Sequence, residues 1–247
     1  MPTTLLARTP RLDGTDPEAK RAEILSYFHA TWDRYESLFQ LLANDLAYTR
    51  KPISLRHPLI FYLGHTATFF INKLVLAGLV SERINPRFES MFAVGVDEMS
   101  WDDLSDTHYD WPTVAEVRAY RDRVRAVVDG LIESLPLASH SPGSPNNDLA
   151  HSGGWSGLGA DPGAQYSLPI GWAHPWWPII MGIEHERIHL ETSSVLIRQH
   201  DLQYVRPDPA WAPCRVSGPA PDNELVPIPA GEVCLGRDRD DPWYGWD

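Results

Sequence analysis

His185-Glu186-Arg187-Ile188-His189 is the densest chemical signal in this chain. Two histidines four residues apart on a helix project about 40° apart and are separated by a rise of ~6 Å. That spacing lets two imidazoles bind one metal ion. His65, in the run RHPLIFYLGHTATFFINKLVLAGL, takes a register where helical periodicity expects an apolar side chain. Bundles build metal sites from side chains on facing helices, so His65 is the candidate third ligand. HERIH also satisfies the HExxH zinc-protease signature, in which Glu186 would be the general base. The context argues against that reading. The metzincin continuation needs a glycine at 192 and a histidine at 195, where this chain has Thr192 and Val195. A glutamate ligand from a later helix is also missing, because Glu224 and Glu232 fall in strand-like sequence. Three neutral histidines with open positions suit Zn2+ hydrolysis and Fe2+ oxygen chemistry alike, since imidazole binds both metals.

Four helical segments must position these residues. The first opens at Thr15-Asp16-Pro17-Glu18, with a capping side chain, an early proline and an acidic first turn. Ile24, Phe28, Thr31, Tyr35, Leu38 and Leu42 give it one apolar stripe up to about Leu46. The second runs from near Pro58 to Gly78, with Tyr62, His65, Phe69, Asn72 and Leu76 facing inward. The third opens with the capping box Thr113-Val114-Ala115-Glu116, continues through Val117, Tyr120, Val124, Val127 and Leu131, and ends before Pro136. The fourth starts around Pro175 and runs through Ile179, Ile183 and Leu190 to about Gln199. Residues 81–112 read as a polar and aromatic connection. A non-periodic stretch rich in Ser, Gly, Pro and Asn, over about 137–170, reads as an inserted, mobile loop. Residues 1–205 form the predicted bundle, 206–223 a proline-rich linker, and 224–247 a strand-like tail too short to bury a core of its own.

The composition narrows the function. The chain has 247 residues and a formal net charge of −12, which argues against a nucleic-acid or anionic-membrane partner. The most apolar run, 61–80, is broken by His65, Asn72 and Lys73, so no uninterrupted membrane-spanning stretch is predicted. The first residues lack an apolar export core. Two cysteines, Cys214 and Cys234, make no disulfide scaffold, so a reduced cytoplasm is the expected location.

At the histidine positions the sequence resembles a known family. The His65 run, the segment MGIEHERIHLETSSVLIRQ and the segment RINPRFESMFAVGVDEMSWDDLSDTHYDWPTVAEVRAYRDRV are similar to 5-histidylcysteine sulfoxide synthase. This is the iron enzyme that starts ovothiol biosynthesis. Ergothioneine-forming sulfoxide synthases share the general plan. The resemblance covers most of residues 20–135 and 172–205. It implies an all-α, DinB-like four-helix bundle with long crossover loops, whose His65, His185 and His189 hold Fe(II). It also implies the substrates L-cysteine, L-histidine and O2, and a place for Glu186 on the helix surface or behind the ligands. The tail 224–247 resembles the first strands of a formylglycine-generating-enzyme-like domain. That domain, missing here or encoded separately, would hold the catalytic side chains, so little synthase activity is expected of these residues alone.

Other residues have weaker readings. Arg83 and Arg87 could clamp a substrate carboxylate bidentately. Trp101, Trp111, Trp176 and Trp177 could wall the site, although core packing is the commoner use of tryptophan. His29, His57, His108, His140, His151, His174 and His200 have no helical partner histidine and read as structural or solvated. A free-standing bundle of the metal-dependent thiol-transferase type is the competing function.

Overall fold

Asp16 opens the first helix. Its carboxylate accepts from the backbone N–H groups of Glu18 and Ala19, both at 3.0 Å, and Pro17 occupies the first turn, where a missing N–H costs nothing. Helix α1 spans Pro17–Phe39 and buries Ile24, Phe28, Thr31, Tyr35 and Leu38. It stops short of the predicted limit near Leu46 because the chain turns. Leu42 bridges Val205, the Ala43 N–H donates to the Tyr204 carbonyl at 2.9 Å, and Asn44 Oδ1 accepts from the Ala47 N–H at 3.2 Å. A separate short helix, α2 (Leu46–Thr49), follows.

The computed structural model describes residues 8–93, 110–139, 166–212, 216–233, 235–236, 238 and 241–246. Trp101, His108, His140, His151, Cys214, Cys234 and most of the predicted inserted loop lie outside the described residues. Three more long helices follow α1: α3 (Leu59–Leu76), α5 (Val114–Ser134) and α6 (Trp177–Ile197). Between α3 and α5 a short helix, α4 (Pro86–Met91), is capped by Asn85 and was not visible in the periodicity. The predicted capping box closes in both directions. Thr113 Oγ1 accepts from the Glu116 N–H at 3.2 Å, and Glu116 Oε2 accepts from the Thr113 N–H at 2.8 Å. The chain leaves α5 through an extended Leu135, as a residue before proline prefers. No strand occurs among the described residues, so the fold is an all-α bundle of four long helices.

Helix α3 is the hub, packing against α6 and α5, while α1 covers α6. From Leu59 to Thr68 every residue of α3 is buried. The helix is long and apolar enough to cross a membrane, but 72% of it is buried in the bundle, which accounts for its composition. The predicted inward line of α3 holds at Tyr62 and His65 and then drifts. Leu76 is exposed, and Phe70, Ile71 and Leu74 face the core instead. Surrounded on nearly all sides, a helix needs no single stripe, so its pattern misreports direction. In α5 the core positions are Val128 and Ile132, with Val127 and Leu131 only half-buried.

The margins of the Ser/Gly-rich stretch are anchored. Ala138 bridges Ser167, the Ile170 N–H donates to the Leu12 carbonyl at 2.8 Å, and Leu168 is fully buried. Residues 206–211, predicted as linker, lie along α1. Arg34 stacks 3.6 Å over Trp211, and the Arg206 N–H donates to the Leu41 carbonyl at 2.8 Å. Leu225, Val226, Ile228, Val233 and Leu235 are exposed. The chain returns at Pro242, whose carbonyl accepts from the Leu12 N–H at 2.6 Å, and Tyr244 packs 4.9 Å from Trp177.

Buried His174 gives this region a pH dependence. Burial lowers it to about 4, only partly offset by a backbone hydrogen bond at Ser167. Its folded value lies below its unfolded value near 6.5, so the unfolded chain binds the extra proton. Stability is therefore full above pH 6.5 and falls as pH drops towards 4, by on the order of 3 kcal/mol. Urea titrations across that range should show a flatter profile for His174→Gln; an unchanged profile would exclude His174 as the cause.

Candidate metal centre

Three histidines from two helices meet in the core. His65 Nε2 lies 3.2 Å from His185 Nε2, and His189 Nε2 lies 3.1 Å from the same atom. One ligand atom from each of the three fits within 4.8 Å of the others. All three side chains are buried, at 3%, 7% and 9% exposure. The turn from His185 to His189 on α6 supplies two of them, and α3 carries the third across the helix interface.

The protonation states follow from the surroundings. His65 Nδ1 lies 2.7 Å from the Phe92 carbonyl, which can only accept, so Nδ1 carries the proton. With that proton on Nδ1, the His65 Nε2 is turned towards the other two rings. Burial first, then the charges of His65, His189 and Lys73, hold His185 well below its usual range. Burial, with His65 second, lowers His189 to about 3. Three imidazoles, two of them held neutral by burial, thus point nitrogen at one small volume. Hydrogen bonds among them cannot satisfy such a set, because each neutral ring has one proton to give. His185 Nδ1 and His189 Nδ1, both buried, have no hydrogen-bond partner among the described residues. A divalent cation accepting three nitrogen lone pairs fits this donor set.

Aromatic rings wall the cluster. Phe69 stacks on His185 at 3.7 Å and 7°, and Phe61 stacks on His65 at 5.2 Å and 14°. Gly64 allows this closeness, since a Cβ there would lie 2.5 Å from the Phe92 ring. Gly182 does the same for α3 against α6, where a Cβ would lie 2.2 Å from the Phe70 ring.

Glu186 lies behind the ligands rather than on the helix surface. It is fully buried, and its Oε1 accepts from Arg121 Nη2 at 2.8 Å and from Thr66 Oγ1 at 3.2 Å. The Arg121 guanidinium also donates to the Leu63 carbonyl at 2.9 Å, to Thr66 Oγ1 at 2.8 Å and to Glu36. It rests 4.2 Å from the Trp32 ring. Arg121 thereby clamps Thr66 and Glu186, the residues that follow His65 and His185. Sequence reasoning passed over Arg121, although a charged residue between Val117 and Val124 on the inward register of α5 marks it.

The other candidates have partners of their own, and Trp111 lies 6.2 Å from Phe61, the ring stacked on His65. Arg83 donates to Asn72 Oδ1 at 2.6 Å and to Glu89 Oε2 at 3.1 Å. Arg87 pairs with Asp110 at 3.4 Å, with both side chains exposed. Trp111 stacks on Phe92 at 6.0 Å, and Trp176 and Trp177 belong to the core. His29 pairs with Asp129 at 2.6 Å. His57, His174 and His200 are buried outside the three-histidine group, His57 with its ring 4.3 Å from that of Phe61.

The model of the DinB superfamily matches residues 27–193. The chain belongs to the DinB superfamily. That match reaches from within α1 to within α6 and takes in all three clustered histidines. Ergothioneine biosynthesis protein 1 of Neurospora crassa is 25% identical over 239 residues, covering 90% of this chain. The DinB chain spans 24% of the length of that curated relative.

Proposed function

We propose that these residues are the metal-binding helical part of an O2-dependent sulfoxide synthase. It would join cysteine sulfur to the imidazole ring of histidine, with Fe(II) on His65, His185 and His189. The observation that carries this reading is the convergence of three buried histidine nitrogens in a chain similar to an ergothioneine biosynthesis protein. The overall reaction balances. One O2 accepts four electrons, two released on forming the C–S bond and two on oxidising sulfur. One oxygen atom ends in the sulfoxide and the other in water.

Bound iron would supply coordination for the thiolate and the redox capacity for O2. The protein residues set the conditions. His65 is oriented by the Phe92 carbonyl, which accepts the hydrogen bond from Nδ1 and turns Nε2 towards the other two histidines. Phe61 and Phe69 cover two of the imidazoles and limit water. Glu186 Oε1 is held by Arg121, while its Oε2 is buried with no hydrogen-bond partner among the described residues.

Two product branches are open to this reading. The sequence blocks around the histidines favour 5-histidylcysteine sulfoxide, the first step of ovothiol biosynthesis. The Neurospora relative favours the ergothioneine branch. We assign residues 1–205 to the bundle, 206–223 to a connection, and 224–247 to the start of a formylglycine-generating-enzyme-like domain that would complete the pocket. Arg83 and Arg87 remain carboxylate-binding candidates, and a cytoplasmic location fits the two cysteines.

The test loads the chain anaerobically with Fe(II) and follows its nitric-oxide adduct by EPR before and after adding L-cysteine. One iron per chain and a spectrum altered by cysteine are expected. Zinc retained to the exclusion of iron, with thiol transfer proceeding without O2, would replace this reading with the thiol transferase. In the polypeptide that includes the following domain, the ring carbon bearing sulfur, read by NMR of the product, separates the two branches.

A further inference from the structure

Lys73 is a cation near the three histidines that makes no ion pair among the described residues. It lies on the line His65–Phe69–Lys73, where successive positions four apart share one side of α3. Its Nζ sits 5.0 Å from the centre of the Phe69 ring, and that ring stacks at 3.7 Å on His185. The ammonium is therefore no farther from the His185 ring than those two separations laid end to end. Helical side chains lean towards the helix N-terminus, which carries the four-carbon stem of Lys73 back towards the histidines rather than out past the end of α3. Its charge is felt there, acting on His185 together with the other two imidazoles.

Among the described residues the charge balance around the site is one-sided: Lys73 makes no ion pair, and no carboxylate acts on His185 or His189. Glu186, the nearest acid in sequence, is committed to Arg121, and Arg121 is shared with Glu36, which in turn pairs with Arg118. Arg83, another cation near the end of α3, is neutralised by Glu89. A divalent ion on three buried imidazoles with an ammonium close by gathers positive charge that no described carboxylate offsets. Such a site favours a ligand that brings more than one negative charge. A cation in the last turn of a helix also meets the favourable end of the helix dipole. That benefit requires no fold back over Phe69.

We propose that Lys73 binds the carboxylate of a small thiol acid whose sulfur occupies the metal, making it a specificity residue of the site. The proposal rests on the metal-binding reading above and narrows its ligand to a thiolate and a carboxylate on one small molecule, of cysteine size. Lysine suits this task as a point charge on a flexible stem, able to follow the ligand.

The test uses the Co(II)-loaded chain and the thiolate-to-cobalt absorption band. Three probes are titrated: L-cysteine, 3-mercaptopropionate, and cysteamine, which has the thiol but no carboxylate. The wild type should bind both thiol acids about tenfold more tightly than cysteamine, the factor expected for one charge-assisted hydrogen bond. Lys73→Met should lose that preference while binding cysteamine as before, which also reports an intact site. Lys73→Arg should restore most of it. If Lys73→Met binds 3-mercaptopropionate as tightly as the wild type, the proposal is overturned while the metal centre stands. Wild-type chain that takes up no cobalt would overturn both together.

Discussion

His185→Ala is expected to lower affinity for Fe(II) or Zn2+ by more than ~100-fold, beyond the usual effect of losing an outer hydrogen-bond partner. His185 is the middle member of the three, within 3.2 Å of His65 Nε2 and 3.1 Å of His189 Nε2. Without it two nitrogens remain on different helices and the site loses its shape. The metal-free variant should stay folded. It loses the stacking on Phe69 but also a buried Nδ1 that has no partner, and these opposing effects largely offset. The contrast appears when metal is added. At free metal near 100 times Kd the wild type gains about 2.7 kcal/mol, a rise of roughly 5–10 °C in Tm for a chain of this size. The variant should show almost none. Equal metal-induced shifts in the two proteins, measured by calorimetry with a chelator control, would remove His185 from the ligand set.

Arg121→Met is expected to cost about 3–5 kcal/mol, because it strands Glu186 as an uncompensated buried charge. Arg121 and Glu186 are both fully buried, so solvent cannot replace the lost partner. Burial already pushes the Glu186 carboxyl up, with Arg121 pulling in the other direction. Removing Arg121 raises it further. A folded value above the unfolded one favours the folded state at low pH and is lost as pH rises, so the penalty should shrink towards acid pH. Adding Glu186→Gln to Arg121→Met should recover part of the loss, since a neutral amide needs no counter-charge. Urea midpoints of the two single variants and the double variant decide the matter. A cost under about 1 kcal/mol for Arg121→Met, the range of exposed pairs, would show that the clamp is solvated.

Much of this molecule was legible in its residues. Asp16 with Pro17, and Thr113 with Glu116, are local signals, and local hydrogen bonds satisfied them where they stood. The pair His185 and His189 follows from helix geometry alone once α6 exists. His65 stood out because a polar residue in an apolar helix demands a reason. The end of α1 was misjudged because apolar Leu42 continued the stripe, while its real partner, Val205, lies far along the chain. The drift of the α3 line had a similar origin, since a helix covered on nearly every side carries no clean period.

The sequence by itself determined the four helices, their caps and the three metal-binding candidates, because these depend on spacing of a few residues. The tertiary structure decided what surrounds them. Only the packing of α3 between α5 and α6 brings Arg121 to Glu186, Phe92 to His65 and Phe69 to His185. Those partners are separated by up to 116 positions, Phe69 to His185, and no local periodicity reports contacts across such distances. The same packing removes water, and dehydration is what holds His185 and His189 neutral and ties Glu186 to Arg121.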